Sequence, residues 1–185
     1  KMQAKMTFDS GTIEDPGHCV NYATLQLHKI SAYAALCDVS QNTTSQRLIA
    51  EFIEDYIGFI DEPVGEKDKQ TLASRIRNMD IDKVASHSAM VDDFAESKTA
   101  MEKVEAKSQK GKLPSLLTFT CEPYLGLKPR AISLRLSVST RNGDIYFGLK
   151  IIKPEELAEN IADEFRQLLD DELEKHTVFE GSVQY

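Results

Sequence analysis

Residues 123–160 read PYLGLKPRAISLRLSVSTRNGDIYFGLKIIKPEELAEN, and they decide the fold. Asn142-Gly143 stands between two alternating runs, the strongest short-range signal for a β-hairpin, because a type I′ turn needs positive φ at both central residues. That turn sets Arg141 opposite Asp144, so facing residues have numbers that sum to 285. Val138 then meets Phe147, Leu136 meets Leu149, and Leu134 meets Ile151, all six on one face by the two-residue period. The other face carries Ser139 with Tyr146, Ser137 with Gly148, Arg135 with Lys150, and Ser133 with Ile152. A slip of one residue would turn the apolar set outward, so turn and pattern specify one register. One face is core and the other is wet or used.

Pro154 then ends the hairpin and opens a helix. Proline is tolerated at the first helical position, and Glu155-Glu156 suit the positive end of the helix dipole. Leu157, Ile161, Phe165, Leu168 and Leu169 make one apolar stripe, whose natural seat is the apolar face of the hairpin. Val178-Phe179 forms a short apolar pair near the end.

At these residues a family resemblance emerges. The block PYLGLKPRAISLRLSVSTRNGDIYFGLKIIKPEELAENIADEF, with the closing HTVFEGS, resembles the C-terminal half of the YfdQ-like proteins of phages and prophages, a domain family of unknown function. GHCVNYATLQL followed by SQRLIAEFIEDY is similar to that family's central segment. The resemblance covers roughly residues 17–56 and 123–182 and leaves 61–112 unmatched. It implies a bacterial, phage-related setting and carries no catalytic residues. Members of that family have further N-terminal sequence, so the chain, which begins at Lys1 in what reads as a strand, is expected to be a fragment.

Composition sets the bounds. The chain has 185 residues, 41% apolar and 28% charged, with a net charge of −8. This suits one soluble α+β domain with a real core. No run is long enough to span a bilayer. Cys19, Cys37 and Cys121 are odd in number and lack CxxC spacing, which points to a reducing cytoplasm rather than a disulfide framework.

Elsewhere, residues 3–9 and 20–28 read as strands joined through Asp15-Pro16-Gly17, and residues 30–38 as a short helix. Asn42-Thr43-Thr44 can supply an N-cap for an amphipathic helix marked by Leu48, Ile49, Phe52, Ile53, Tyr56 and Ile57. Residues 61–65 break it, residues 67–79 read as another helix, and residues 116–121 as a strand. The expected architecture is an antiparallel sheet built from both ends of the chain, including the 131–153 hairpin. Helices pack on one face, and 61–112 forms a helical insertion or arm within a single domain.

Within 82–107, Val84, His87, Val91, Phe94, Lys98 and Met101 are spaced 3, 4, 3, 4, 3, the seam of a coiled coil. As a helix the stretch would run about 39 Å. The ordinary reading packs it along its own domain; the sharper one makes it an arm that pairs with residues 67–79 or, as an oligomer seam, with a second subunit.

No Gly-rich phosphate loop, nucleophile elbow or HExxH is present. His18, His28, His87 and His176 have no ligand spacing, and Asp92-Asp93 and Asp170-Asp171 read as solvated helix faces. No catalytic residue, cofactor, metal or small-molecule substrate is therefore expected. Charge is the remaining signal. Residues 128–153 hold six bases and one acid, whereas 154–175 hold nine acids and two bases. Arg130, Arg135, Arg141, Tyr146 and Lys150 are the candidate face for a partner or for phosphate. The expectation is a non-enzymatic accessory protein that binds a protein partner and self-associates. Two alternatives stand beside it: nucleic-acid association through the basic hairpin face, and an acidic helix that mimics nucleic acid to block a host protein.

Overall fold

A computed structural model describes residues 2–61, 66–77, 114–141, 144–173, 176–179 and 181; within its elements, the side chains of 66–71, 140, 141, 144 and 145 are not described. In chain order the elements are β1 (Gln3–Thr7), β2 (Tyr22–Gln26), α1 (Ser31–Gln41), β3 (Thr43–Ser45), α2 (Gln46–Asp55), β4 (Ile60–Asp61), α3 (Glu66–Arg77), β5 (Leu116–Cys121), β6 (Arg130–Arg141), β7 (Asp144–Ile151) and α4 (Pro154–Glu172). A single 3₁₀ turn, Ile57–Phe59, links α2 to β4. The result is an α+β fold.

The expected register holds at every pair from Arg141↔Asp144 to Leu134↔Ile151. It runs one step further, where the Ile152 amide donates to the Ser133 carbonyl at 2.9 Å. Residues 142 and 143 lie outside the described residues. β6 and β7 are the middle of a five-stranded antiparallel sheet ordered β3-β7-β6-β5-β4. Leu117, Phe119, Ile132, Leu134, Leu136, Val138, Phe147 and Leu149 all point to one face and are buried. Among the described residues, helices cover that face alone. Ala32, Tyr33 and Leu36 of α1, Ile49, Phe52 and Ile53 of α2, Leu72, Ala73 and Ile76 of α3, and Ile161 and Phe165 of α4 join one core with it. Each large aliphatic side chain so buried contributes on the order of 1.5–3 kcal/mol.

Three expectations need correction. The N-terminal strands do not enter the main sheet: β1 and β2 pair with each other in a separate two-stranded sheet. It is tethered at its exit, where the Ile30 amide donates to Pro123 O and the Leu125 amide to His28 O. The edges of the main sheet are instead two very short strands, β3 beside β7 and β4 beside β5. Short edges offer little unpaired backbone to other chains. Secondly, Thr43 and Thr44 lie in a strand, and Ser45, the last residue of that strand, caps α2 in place of residues 42–44, its Oγ accepting from the Leu48 amide at 3.4 Å. Thirdly, Leu48 stands outside the buried stripe at 56% exposure, and Ala50 takes a place within it. Leu168 is likewise at the margin of the α4 stripe, 38% exposed.

Pro154 opens α4 as expected. The turn into it is made by Lys153, at φ 53° and ψ 59°, a left-handed conformation unusual for a side chain with a Cβ. That single residue turns the chain from β7 back across the sheet. Among the described residues no helix is long and apolar enough to cross a membrane.

Candidate functional site

The other face of the sheet is covered by no helix among the described residues. By strand parity it carries Ala131, Ser133, Arg135, Ser137 and Ser139 on β6, Tyr146, Gly148 and Lys150 on β7, and Thr43 and Ser45 on β3. β5 adds Leu116, Thr118 and Thr120, and β4 adds Asp61. Small hydroxyl residues dominate, so the surface is low and open. Among the described residues no helix packs on it, and Leu116, Ala131, Ser133, Arg135 and Lys150 are exposed.

Arg135 and Lys150 are direct cross-strand partners at the centre of this face. Like charges directly opposite each other destabilise a sheet. Neither cation has an acidic partner among the described residues. On the next row Ser137 Oγ donates to the Gly148 carbonyl at 3.2 Å. A Cβ at Gly148 would lie 2.7 Å from Ser137 Oγ, so a side chain there would turn that hydroxyl away. Tyr146 lies between Ser139 and Ser45, half-buried. Asp61 is held by a 2.5 Å hydrogen bond from Thr120 Oγ1; Asp144, opposite Arg141, has the parity of this face too, but its side chain is outside the described residues.

The expected face is thus divided. Arg135, Lys150 and Tyr146 come together. The backbone of Arg141 has the same parity, six residues along β6, but its side chain is outside the described residues. Arg130 has the opposite parity. It faces the helices, where its Nη2 donates to Glu164 Oε2 at 2.6 Å and to the Asn160 carbonyl at 3.0 Å. The Lys128 amide donates to the other Glu164 oxygen at 2.9 Å. Burial alone would raise the Glu164 carboxyl, but these hydrogen bonds and the Arg130 charge outweigh it and hold it below the ordinary range. Arg130 therefore ties α4 to the sheet. The seam of Val84, His87, Val91, Phe94, Lys98 and Met101 lies outside the described residues.

One cluster escaped sequence reasoning. Lys29, Tyr33, Cys37, Cys121 and Tyr124 meet where α1 crosses the end of β5. Lys29 Nζ donates to Cys37 Sγ at 3.5 Å, and the Tyr33 and Tyr124 rings are 5.9 Å apart. Burial pushes the Tyr33 hydroxyl well above its usual value, and burial, with Cys37 and Glu122 nearby, pushes the Cys121 thiol up to about 11. At neutral pH Cys121 is a protonated thiol and a poor nucleophile. No spacing in the sequence hints at this grouping, since its members come from segments 28–37 and 121–124. Among the described residues no group of three or more His, Cys, Asp or Glu side chains could hold a metal ion.

The model of an uncharacterized conserved protein family, DUF2303, matches residues 1–183. The chain belongs to the DUF2303 family. The match takes in residues 61–112, which the resemblance to YfdQ-like sequences left unplaced. No curated protein and no solved structure matches this DUF2303 protein.

Proposed function

We propose that this DUF2303 protein is a non-enzymatic accessory protein that binds a macromolecular partner, foremost a protein, through the open face of its five-stranded sheet, and that it self-associates. The observation that carries the reading is the Arg135–Lys150 pair: two exposed like charges, side by side, on the uncovered face of an otherwise satisfied sheet. Such an arrangement costs stability in the free protein and is relieved when an anionic surface covers it. Among the described side chains the titratable groups of the face are Arg135, Lys150, Tyr146 and Asp61, with Asp61 engaged by Thr120. A set of this kind suits recognition rather than proton transfer. The resemblance to YfdQ-like sequences supports a phage or prophage setting, and three unpaired cysteines fit the cytoplasm of a bacterial host.

A photo-crosslinking residue placed at Ser133, in the open face, tests this in cells, with one at Arg47 of α2 as control. A discrete adduct from position 133 and none from position 47 is expected, and its mass identifies the partner. Adducts from 47 alone would move the working surface off the sheet.

Nucleic acid is the second reading, and one observation favours it. The acidic α4, whose field would repel phosphates, packs on the opposite side of the sheet from Arg135 and Lys150, with Ile161 and Phe165 in the core.

A further inference from the structure

The two faces of the molecule carry opposite, unmatched charge. On α4, Glu155, Glu159 and Asp163 follow one another at four-residue spacing, all exposed, on the side turned away from Ile161 and Phe165. Like charges at this spacing destabilise a helix, as the Arg135–Lys150 pair destabilises the sheet. None of the three acids has a basic partner among the described residues, although Lys153–Glu156 and Arg166–Asp170 show that α4 forms ion pairs where bases are in reach. Successive acids of the stripe stand about 6 Å apart along the helix axis. Neighbouring strands lie about 4.8 Å apart. The cation pair and the acid stripe are therefore opposite in sign, with backbone spacings of the same order.

Neither half can meet the other within one chain, because sheet and helix layers separate them. We infer that the occupant of the open sheet face is a second copy of this chain, docked head to tail, with the Glu155–Glu159–Asp163 stripe of one copy over the Arg135–Lys150 row of the next. The inference rests on the open face being the working surface, and names its partner. The contact is heterologous, so it propagates into open chains or closes into a ring rather than stopping at a symmetric dimer. Nucleic acid fits the same cations less well: the net charge of −8 repels a polyanion, and few bases face it. A second copy carries that net charge too. However, at 0.1 M salt the Debye length is about 10 Å, so the overall repulsion is screened while charges in contact are not.

Sedimentation velocity over a concentration series decides the matter. At about 0.1 M salt the parent is expected to associate, and at about 1 M, where the Debye length is near 3 Å, to dissociate. Arg135→Glu/Lys150→Glu keeps the acid stripe and loses the cationic face; Glu155→Lys/Glu159→Lys/Asp163→Lys does the reverse. Each alone should be monomeric at concentrations where the parent associates, with unchanged circular dichroism. Mixed in equal amounts, they should associate again, because the intact acid stripe meets the intact cation row and the two reversed surfaces are opposite in charge as well. Should a charge reversal disturb folding, the neutral Arg135→Gln/Lys150→Gln variant should still weaken association at least tenfold. A parent that stays monomeric up to sub-millimolar concentration overturns the inference, as does association that survives both reversals. Loss only on Val91→Glu/Phe94→Glu would assign self-association to the 84–101 seam and overturn it equally. If the inference fails but position 133 still crosslinks to a different protein, the open face remains the working surface and only its occupant changes.

Discussion

Leu136 and Ser133 lie three residues apart on β6 and point to opposite sides of the sheet. Leu136 is 1% exposed, opposite Leu149, whereas Ser133 looks into solvent. Leu136→Asp places a carboxylate in the core with no cation to receive it, and should cost more than about 4 kcal/mol, enough to unfold or aggregate the protein. Ser133→Asp stays in water beside Arg135 and should shift stability by less than about 0.5 kcal/mol. Thermal melts of the two variants check the inward and outward assignment directly. Glu164 gives a second test, through pH. Its folded-state carboxyl is held below the ordinary range, so its contribution is present above the unfolded value of about 4.3 and is lost as pH falls through the folded value. Glu164→Gln should therefore be less stable than the parent at neutral pH, with the gap closing as the solution is acidified. A gap that stays constant with pH would mean that Glu164 acts by packing alone. The pairing itself was beyond the sequence, because Arg130 reads as one more base of a basic hairpin until its parity with Ile132 and Leu134 is noticed.

The central hairpin and α4 were legible because each is over-determined. The Asn-Gly turn and the alternation on both strands point to one pairing, and Pro154 with the 157–161–165 stripe marks the helix that covers it. The sheet edges were not. β3 is three residues and β4 is two, too short for any periodicity, and both owe their strand character to the partner they pair with. Thr43-Thr44-Ser45 is equally suited to begin a helix or to lie along β7, and here it does both: Thr43 and Thr44 pair with Gly148 and Phe147, and Ser45 also caps α2. The five-residue strands β1 and β2 were legible as strands, but nothing in them shows that they pair only with each other. Ser45 offers a clean test of the double use. Ser45→Ala should cost about 1 kcal/mol through the lost cap, and Ser45→Gly only a few tenths. If Ser45→Ala is as stable as the parent in chemical denaturation, the hydroxyl contributes nothing at that helix start.

At the scale of the whole molecule, the one-sided covering of the sheet separates acid from base. Sequence counting sees a basic segment beside an acidic one and cannot tell whether they neutralise each other. The fold answers in both directions: Arg130 meets Glu164, while Arg135 and Lys150 face away from α4 altogether. Whether that exposed row takes phosphate can be predicted quantitatively. Each phosphate contact on duplex DNA contributes about −0.9 to the slope of log affinity against log salt. Arg135 and Lys150 supply two contacts, and Arg141 a third by parity, so duplex binding through this face would carry a slope of about −2 to −3 and be modest even at low salt. Against it stands a net charge of −8, which slows the approach of any polyanion. The expected outcome of a fluorescence anisotropy titration with single- and double-stranded oligonucleotides is no binding at micromolar protein. Binding with the stated slope, abolished by neutralising Arg135, Arg141 and Lys150, would instead establish the nucleic-acid reading and displace the protein partner. Binding that survives those substitutions would place a nucleic-acid site elsewhere on the chain and leave the open face to its protein partner.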